Sequence, residues 1–216
     1  MTKSETVNLA DIREQLKSKP GLANVGLDLL YLRFESDPYL TFISLINRSL
    51  DYALDTLAKN PELKKKSSED MITIEIVNIL KTAGFNADHD TKIGGHCDIV
   101  IEEHYHTFCW LGEAKKIDSV NNSYLNKGFK QLTTRYANGN QNHTYGGLLI
   151  YSYAPNLKHV MQKWKEHMQA EYQSIEISQC EVRNLAFHSV STNQSTGLDY
   201  NVRHIPVSFY FSPQDK

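Results

Sequence analysis

The chain has 216 residues, 40% of them hydrophobic, and a formal net charge of −2 at pH 7. That length buries one good core with room for a small helical appendage, and the near-neutral charge argues against a strong nonspecific DNA binder while leaving room for a local patch. No apolar run approaches a membrane span, no signal peptide opens the chain, and Cys97, Cys109 and Cys180 show no CxxC spacing, so a soluble cytoplasmic protein with reduced thiols is expected.

The first sixty or so residues read as helical. Leu9 to Leu16 is amphipathic and stops at Pro20-Gly21. Asp37-Pro38 opens a longer helix, the Asp as N-cap and the Pro at its first position. Its apolar residues Phe42, Leu45, Ile46, Leu50, Ala53, Leu54 and Leu57 recur at three- and four-residue steps, and Asn60-Pro61 ends it. Pro61 to Ser68, with Lys64-Lys65-Lys66, reads as a polar connector, and the boundary there separates a helical N-terminal extension (1–66) from the main domain (67–216). A helix from Ser67 to Ala83 follows, closed by Gly84, with Ile72, Ile76, Ile79, Leu80 and Ala83 inward.

A strand over about Phe85 to Asp90 and the pair Gly94-Gly95 lead into two apolar runs, Cys97–Ile101 and Thr107–Lys115. Polar His104, Tyr105 and His106 between them predict a β-hairpin. With a four-residue turn from His104 to Thr107, Glu103 pairs with Phe108 and Asp98 falls opposite Glu113. Glu113 and Lys115 share a face because strand side chains alternate. Two carboxylates and an ammonium therefore converge. Beyond the hairpin, Asn122 to Tyr136 reads as an amphipathic helix with Tyr124, Leu125, Phe129, Leu132 and Tyr136 inward and Lys127, Lys130 and Arg135 as a basic ridge suited to phosphates. Asn138-Gly139-Asn140 breaks it. Gly147 to Tyr153 is a buried strand, Pro155 to about Gln173 a helix, and 184–190 and 202–211 two strands around a turn at Thr192–Gly197.

Opposed carboxylates repel unless a cation lies between them, and hard oxygen donors suit Mg²⁺. A lysine two residues beyond the second carboxylate can orient or deprotonate a water while the cation offsets charge on a phosphate oxygen. The bland alternative is a set of salt-bridged structural carboxylates. Charges on the inner face of a half-buried hairpin disfavour it. Histidines 89, 96, 104 and 106 with Cys97 and Cys109 show no zinc-finger spacing, and Cys109 between Phe108 and Trp110 reads as core filler.

Asp98 followed by Glu113-Ala114-Lys115 on adjacent strands resembles the active site of the PD-(D/E)xK nuclease superfamily, with Cys97 where the family pattern has Pro. The resemblance covers about residues 67–180. It implies an α/β, restriction-endonuclease-like core in the order helix, three-strand meander, helix, strand, helix, strands, and Mg²⁺-dependent hydrolysis of DNA, with Mn²⁺ able to substitute. Asp98 and Glu113 would hold the metal with the Ala114 carbonyl, and Lys115 would position the attacking water. Members usually add a Glu from the preceding helix. A helix of fifteen residues spans about 22 Å, close to the roughly 20 Å of the strand that returns beside it. Glu69 then reaches the site and Glu75 stops about two turns short, so Glu69 is the assigned third metal carboxylate and Glu75 the alternative. Several branches place a Gln, then a Tyr four residues later, on the next helix; here Gln131 precedes Tyr136 by five, and Gln131 is assigned to the scissile phosphate. By the same resemblance the setting is prokaryotic restriction or anti-phage defence, with gating by a protein partner or homo-oligomerisation through residues 1–66. The competing reading is a nuclease-fold module that has lost catalysis and serves nucleic-acid binding or assembly.

Overall fold

The computed structural model describes residues 8–17, 21–22, 24–92, 95–136, 139–193 and 196–213. Pro20, Gly94 and Asn138, read above as punctuation, lie outside the described residues, as do residues 194 and 195 of the C-terminal turn and the side chain of Tyr136. The helices are α1 (Leu9–Lys17), α2 (Val25–Tyr31), α3 (Pro38–Ala58), α4 (Pro61–Lys64), α5 (Glu69–Thr82), α6 (Asn122–Lys130) and α7 (Leu157–Glu171). The strands are β1 (Asn86–Lys92), β2 (His96–Glu103), β3 (Phe108–Ile117), β4 (Tyr145–Ser152), β5 (Glu176–Gln179), β6 (Phe187–Thr192) and β7 (Asp199–Ser208).

Helix boundaries follow from cap chemistry. Asp37 accepts from the Leu40 N–H at 3.0 Å and Pro38 sits inside the start of α3. Ser68 caps α5 by accepting from Met71 N–H at 3.1 Å. At its other end Phe85 N–H reaches Leu80 O and Gly84 N–H reaches Lys81 O, a Schellman closure that requires the left-handed Gly84 (φ +102°). The stretch read as a polar connector contains the short helix α4, with Pro61 at its first turn.

One seven-stranded sheet runs in the order β1-β2-β3-β4-β7-β6-β5. Strands β1, β2 and β3 form an antiparallel meander, β3, β4 and β7 are parallel neighbours, and β6 and β5 return antiparallel. The architecture is mixed α/β. Helices on both faces make β3 and β4 almost wholly buried. On one face Ile99, Ile101, Trp110, Ala114, Leu149, Tyr151, Ile205 and Val207 pack with Phe42, Ile46 and Leu50 of α3 and Ile72, Ile76 and Leu80 of α5. On the other, Val100, Leu111, Ile117, Leu148, Ile150 and Val202 pack with Leu125 and Phe129 of α6 and Val160, Trp164 and Met168 of α7. Gly112 and Gly147 bed the Trp110 ring, since a Cβ on either would lie within 2.8 Å of it.

A buried histidine ties α7 to the sheet. Trp164 Nε1 donates to His204 Nδ1 at 3.0 Å, and an indole nitrogen can only donate, so the His204 proton sits on Nε2 and is given to Ser189 Oγ at 2.8 Å. Phe187 stacks on the imidazole at 4.2 Å between centroids.

Three features differ from the sequence reading. Strand β5 and helix α2 have no strong periodicity of their own. The helix expected to run unbroken from Asn122 to Tyr136 is α-helical only to Lys130 and continues as a π-helical turn over Gln131–Tyr136. And α5 buries Thr73 and Val77 beside its isoleucines, with Ile79 only partly covered.

Candidate active site

The hairpin register is the one the turn length predicts. Residues 104–107 form the turn, Glu103 pairs with Phe108, and the ladder runs on to Ile99 opposite Gly112. The next step places Asp98 beside Glu113. Asp98 Oδ2 accepts the Ala114 N–H at 2.8 Å, which ties the two strands where regular pairing ends. Lys115 Nζ donates to Glu113 Oε2 at 2.9 Å and to Ala114 O at 2.7 Å, and stands 3.6 Å from Asp98 Oδ2. One ammonium thus lies between both carboxylates.

Helix α6 walls this cluster. A Cβ on Gly128 would lie 2.9 Å from Lys115 Cε and 2.9 Å from Leu148 Cδ1, so the missing side chain is what lets the lysine stem pass under the helix. Tyr124, one turn earlier, holds its ring 5.5 Å from Lys115 Nζ.

Glu69 arrives from the other layer, at the N-terminus of α5. Its Oε2 accepts the Lys116 N–H, and Tyr124 Oη donates to both its oxygens at 3.1 and 3.3 Å. Lys116 points to the face opposite Lys115, where Nζ donates to Ser67 O at 2.7 Å and lies over the Tyr153 ring. Thr73 steadies the first turn of α5 by donating to Glu69 O at 2.9 Å. Glu75 is elsewhere, paired with Lys64. The structure therefore brings Glu69, Asp98, Glu113 and Lys115 together and leaves Glu75 out. Gln131 opens the π-helical turn and lines a neighbouring cleft whose walls include none of those four. The i→i+5 bonding of that turn sets backbone position 136 one winding beyond 131, which absorbs the extra residue between them.

Burial sets the electrostatics. Glu113 is 0% and Lys115 5% exposed, whereas the Asp98 side chain is 27% exposed and is the open member. Burial alone would lower the Lys115 pKa, but the fields of Glu113 and Asp98 and the hydrogen bond to Glu113 outweigh it, and the pKa is raised. Lys115 in this arrangement is an ammonium, a donor rather than a base. Burial pushes the Glu69 pKa up against the opposing pull of the Lys116 N–H and the Lys115 charge. Burial likewise lifts the Tyr124 hydroxyl, which stays a donor to Glu69.

Among the described residues no three His, Cys, Asp or Glu side chains are disposed to hold a metal ion. Two carboxylates and the Ala114 carbonyl nonetheless form an all-oxygen donor set of the kind Mg²⁺ takes while keeping several waters. Asp98 and Glu113 outnumber the one ammonium between them, a charge balance that a hard cation would offset. The sequence reading missed two contributors. Tyr124 packs its ring on the core as the periodicity predicts, but only the approach of α5 to α6 brings its hydroxyl onto Glu69. Lys116 carries no motif signal because its backbone N–H does the work. Comparisons with protein-family models, with curated proteins and with solved structures gave no match.

Proposed function

We propose that this protein is a metal-dependent nuclease that hydrolyses DNA phosphodiester bonds on a restriction-endonuclease-like core. The observation that carries the reading is Lys115 Nζ held between Glu113 and Asp98 on adjacent strands, with Glu69 delivered beside them from the preceding helix. Asp98, Glu113 and the Ala114 carbonyl would hold Mg²⁺ or Mn²⁺, with Glu69 assisting directly or through water. The ion when bound would offset charge on the phosphate oxygens. Lys115, kept cationic, orients the attacking water by donating to it and stabilises the pentavalent phosphorus electrostatically. Asp98, the half-buried carboxylate of the hairpin, faces the incoming phosphate. Tyr124 holds Glu69 in place, and Gln131 contacts the strand from the adjoining cleft. A protein partner or a second copy, docking on the N-terminal helices where Leu30, Phe34 and Leu63 are exposed, gates the activity in a prokaryotic defence or DNA-processing setting.

The test is nicking of supercoiled plasmid by purified protein with Mg²⁺ or Mn²⁺ against EDTA, beside Lys115→Ala. Metal-dependent nicking lost in the variant is expected. Absence of cleavage together with absence of calorimetric Mg²⁺ or Mn²⁺ binding would overturn the reading in favour of a silent binding or assembly module.

A further inference from the structure

Helix α6 presents a second chemical surface beside the one that meets Lys115. Ser123, Asn126, Lys127 and Lys130 fall at i, i+3, i+4 and i+7 on a face next to that of Tyr124 and Gly128. With Gln131, Thr134 and Arg135 of the π-helical turn and His167 and Glu171 of α7, they line an open cleft of about 480 Å³.

Its walls are mostly donors. Lysine and arginine offer nothing else. Glu171, the one carboxylate, is held by Lys130 at 3.3 Å, and among the described residues Lys127 and Arg135 have no carboxylate partner. Asn126 is only 9% exposed and its Oδ1 is taken by Tyr172 Oη at 2.6 Å, which leaves its amide N–H groups for the cleft. His167 stacks on Trp164, and its buried Nε2 has no hydrogen-bond partner among the described residues. Lys127 and Arg135, two cations beside the Lys130–Glu171 ion pair, with neutral donors between them, select an anion with several acceptor oxygens. From Tyr124 at the carboxylate cluster to Lys130 in the cleft is about 9 Å of helix, the axial length of two to three nucleotides at roughly 3.4 Å each.

We propose that this cleft is a phosphodiester subsite, holding a backbone phosphate of the nucleic-acid strand two to three nucleotides from the phosphate at Asp98. The proposal rests on the nuclease reading of the Asp98–Glu113–Lys115 cluster and adds where a neighbouring phosphate of the strand is held. It also accounts for the net charge, because the strand is gripped by one local patch on a protein that is slightly acidic overall.

The experiment is fluorescence anisotropy of a labelled oligonucleotide in EDTA, across a salt series, with plasmid cleavage run in parallel. The proteins are wild type, Lys127→Glu/Arg135→Glu, and a control of equal charge change, Lys59→Glu/Lys81→Glu. All four positions are exposed, and thermal midpoints check that each variant folds. The cleft variant should bind about tenfold or more weakly than the control and lose roughly 0.7 to 1.4 from the slope of log K against log salt, the share of one or two phosphates. Equal affinity and slope in the two double variants would overturn the subsite. A mononucleotide or inorganic phosphate that competes as well as the oligonucleotide would overturn the strand assignment. Cleft-dependent binding without metal-dependent cleavage by the wild type would remove the hydrolytic reading and leave the subsite standing. Cleavage with unimpaired binding in the cleft variant would do the reverse.

Discussion

Lys115 is where stability and chemistry meet. Its ammonium compensates a carboxylate with no exposure to water, so removing it leaves Glu113 charged and buried. Breaking such a pair from one side costs about 3–5 kcal/mol, while replacing both partners by apolar groups of similar volume is often neutral. Lys115→Met should therefore lose about that much in urea unfolding, and Glu113→Leu/Lys115→Met should recover most of it; a single variant within about 1 kcal/mol of wild type would show that water reaches Glu113. Gly128 offers a gentler probe. In Gly128→Ala the new methyl meets Leu148 Cδ1 and both Cε and Cγ of the lysine stem, so the fold should survive by shifting Lys115 while the ammonium moves off its carboxylates. Nicking activity should fall at least about tenfold, since a small misplacement of a reacting group is enough for that, and the thermal midpoint should fall by less than in Lys115→Met because the displaced ammonium still partly compensates Glu113. Tyr124→Phe removes the donor to Glu69. With the pair part-exposed, the loss in urea unfolding should be near the lower end of a charged hydrogen bond, about 1.5 kcal/mol.

At the scale of elements, α5 is the part that had to be the right length. Its first residue supplies Glu69 and its last turn closes on Gly84, so the carboxylate and the return into β1 are set by one helix. A Cβ at Gly84 would sit in a left-handed conformation 3.2 Å from Gly26 Cα. Gly84→Ala should cost about 1–2 kcal/mol from the backbone alone, read as a lower urea midpoint with unchanged m-value. A midpoint equal to wild type would mean that the closure relaxes to another turn. The hairpin was legible because a four-residue turn between two apolar runs leaves one register that buries both strands. Helix α6 was legible only as far as Lys130. Whether a helix winds as α or π is decided by what its flanks must fit, here the seam between β3 and α7, and the local sequence carries no comparable signal.

At the scale of the whole molecule the buried His204 contributes to the response to acid, beside His188, whose pKa burial also lowers. Burial lowers the His204 pKa to about 3 from the ordinary 6.5, and the Trp164 N–H aimed at Nδ1 leaves no place for a second proton. The unfolded chain takes up that proton below about 6.5 and the folded chain does not, so stability falls as pH drops through this window, by at most about 1.4 kcal/mol per unit. Unfolding free energies at pH 7 and pH 5 should differ by about 2 kcal/mol in wild type from this group, and His204→Gln should show a flatter profile from a lower starting point. Parallel profiles would place the acid response on other groups. The same residue joins α7, β6 and β7 through Trp164, Phe187 and Ser189, so the loss should be cooperative across that half of the sheet.

The sequence by itself determined the alternation of the hairpin, the caps of α3 and α5, the α/β order of elements and the shared face of Glu113 and Lys115. These follow from local rules: side-chain period, turn length, and donors and acceptors at helix ends. Only the tertiary structure decided that the Tyr124 hydroxyl reaches Glu69 while its ring packs on the core, that Glu75 pairs with Lys64, that β5 forms at all, and that Gln131 and the basic ridge line a cleft beside the carboxylates. Each of these depends on the distance between elements far apart in the chain. A strand as short and polar as Glu176–Gln179 exists because β6 offers it an edge, and a tyrosine hydroxyl finds a carboxylate only where two helices from opposite layers meet at the end of one strand.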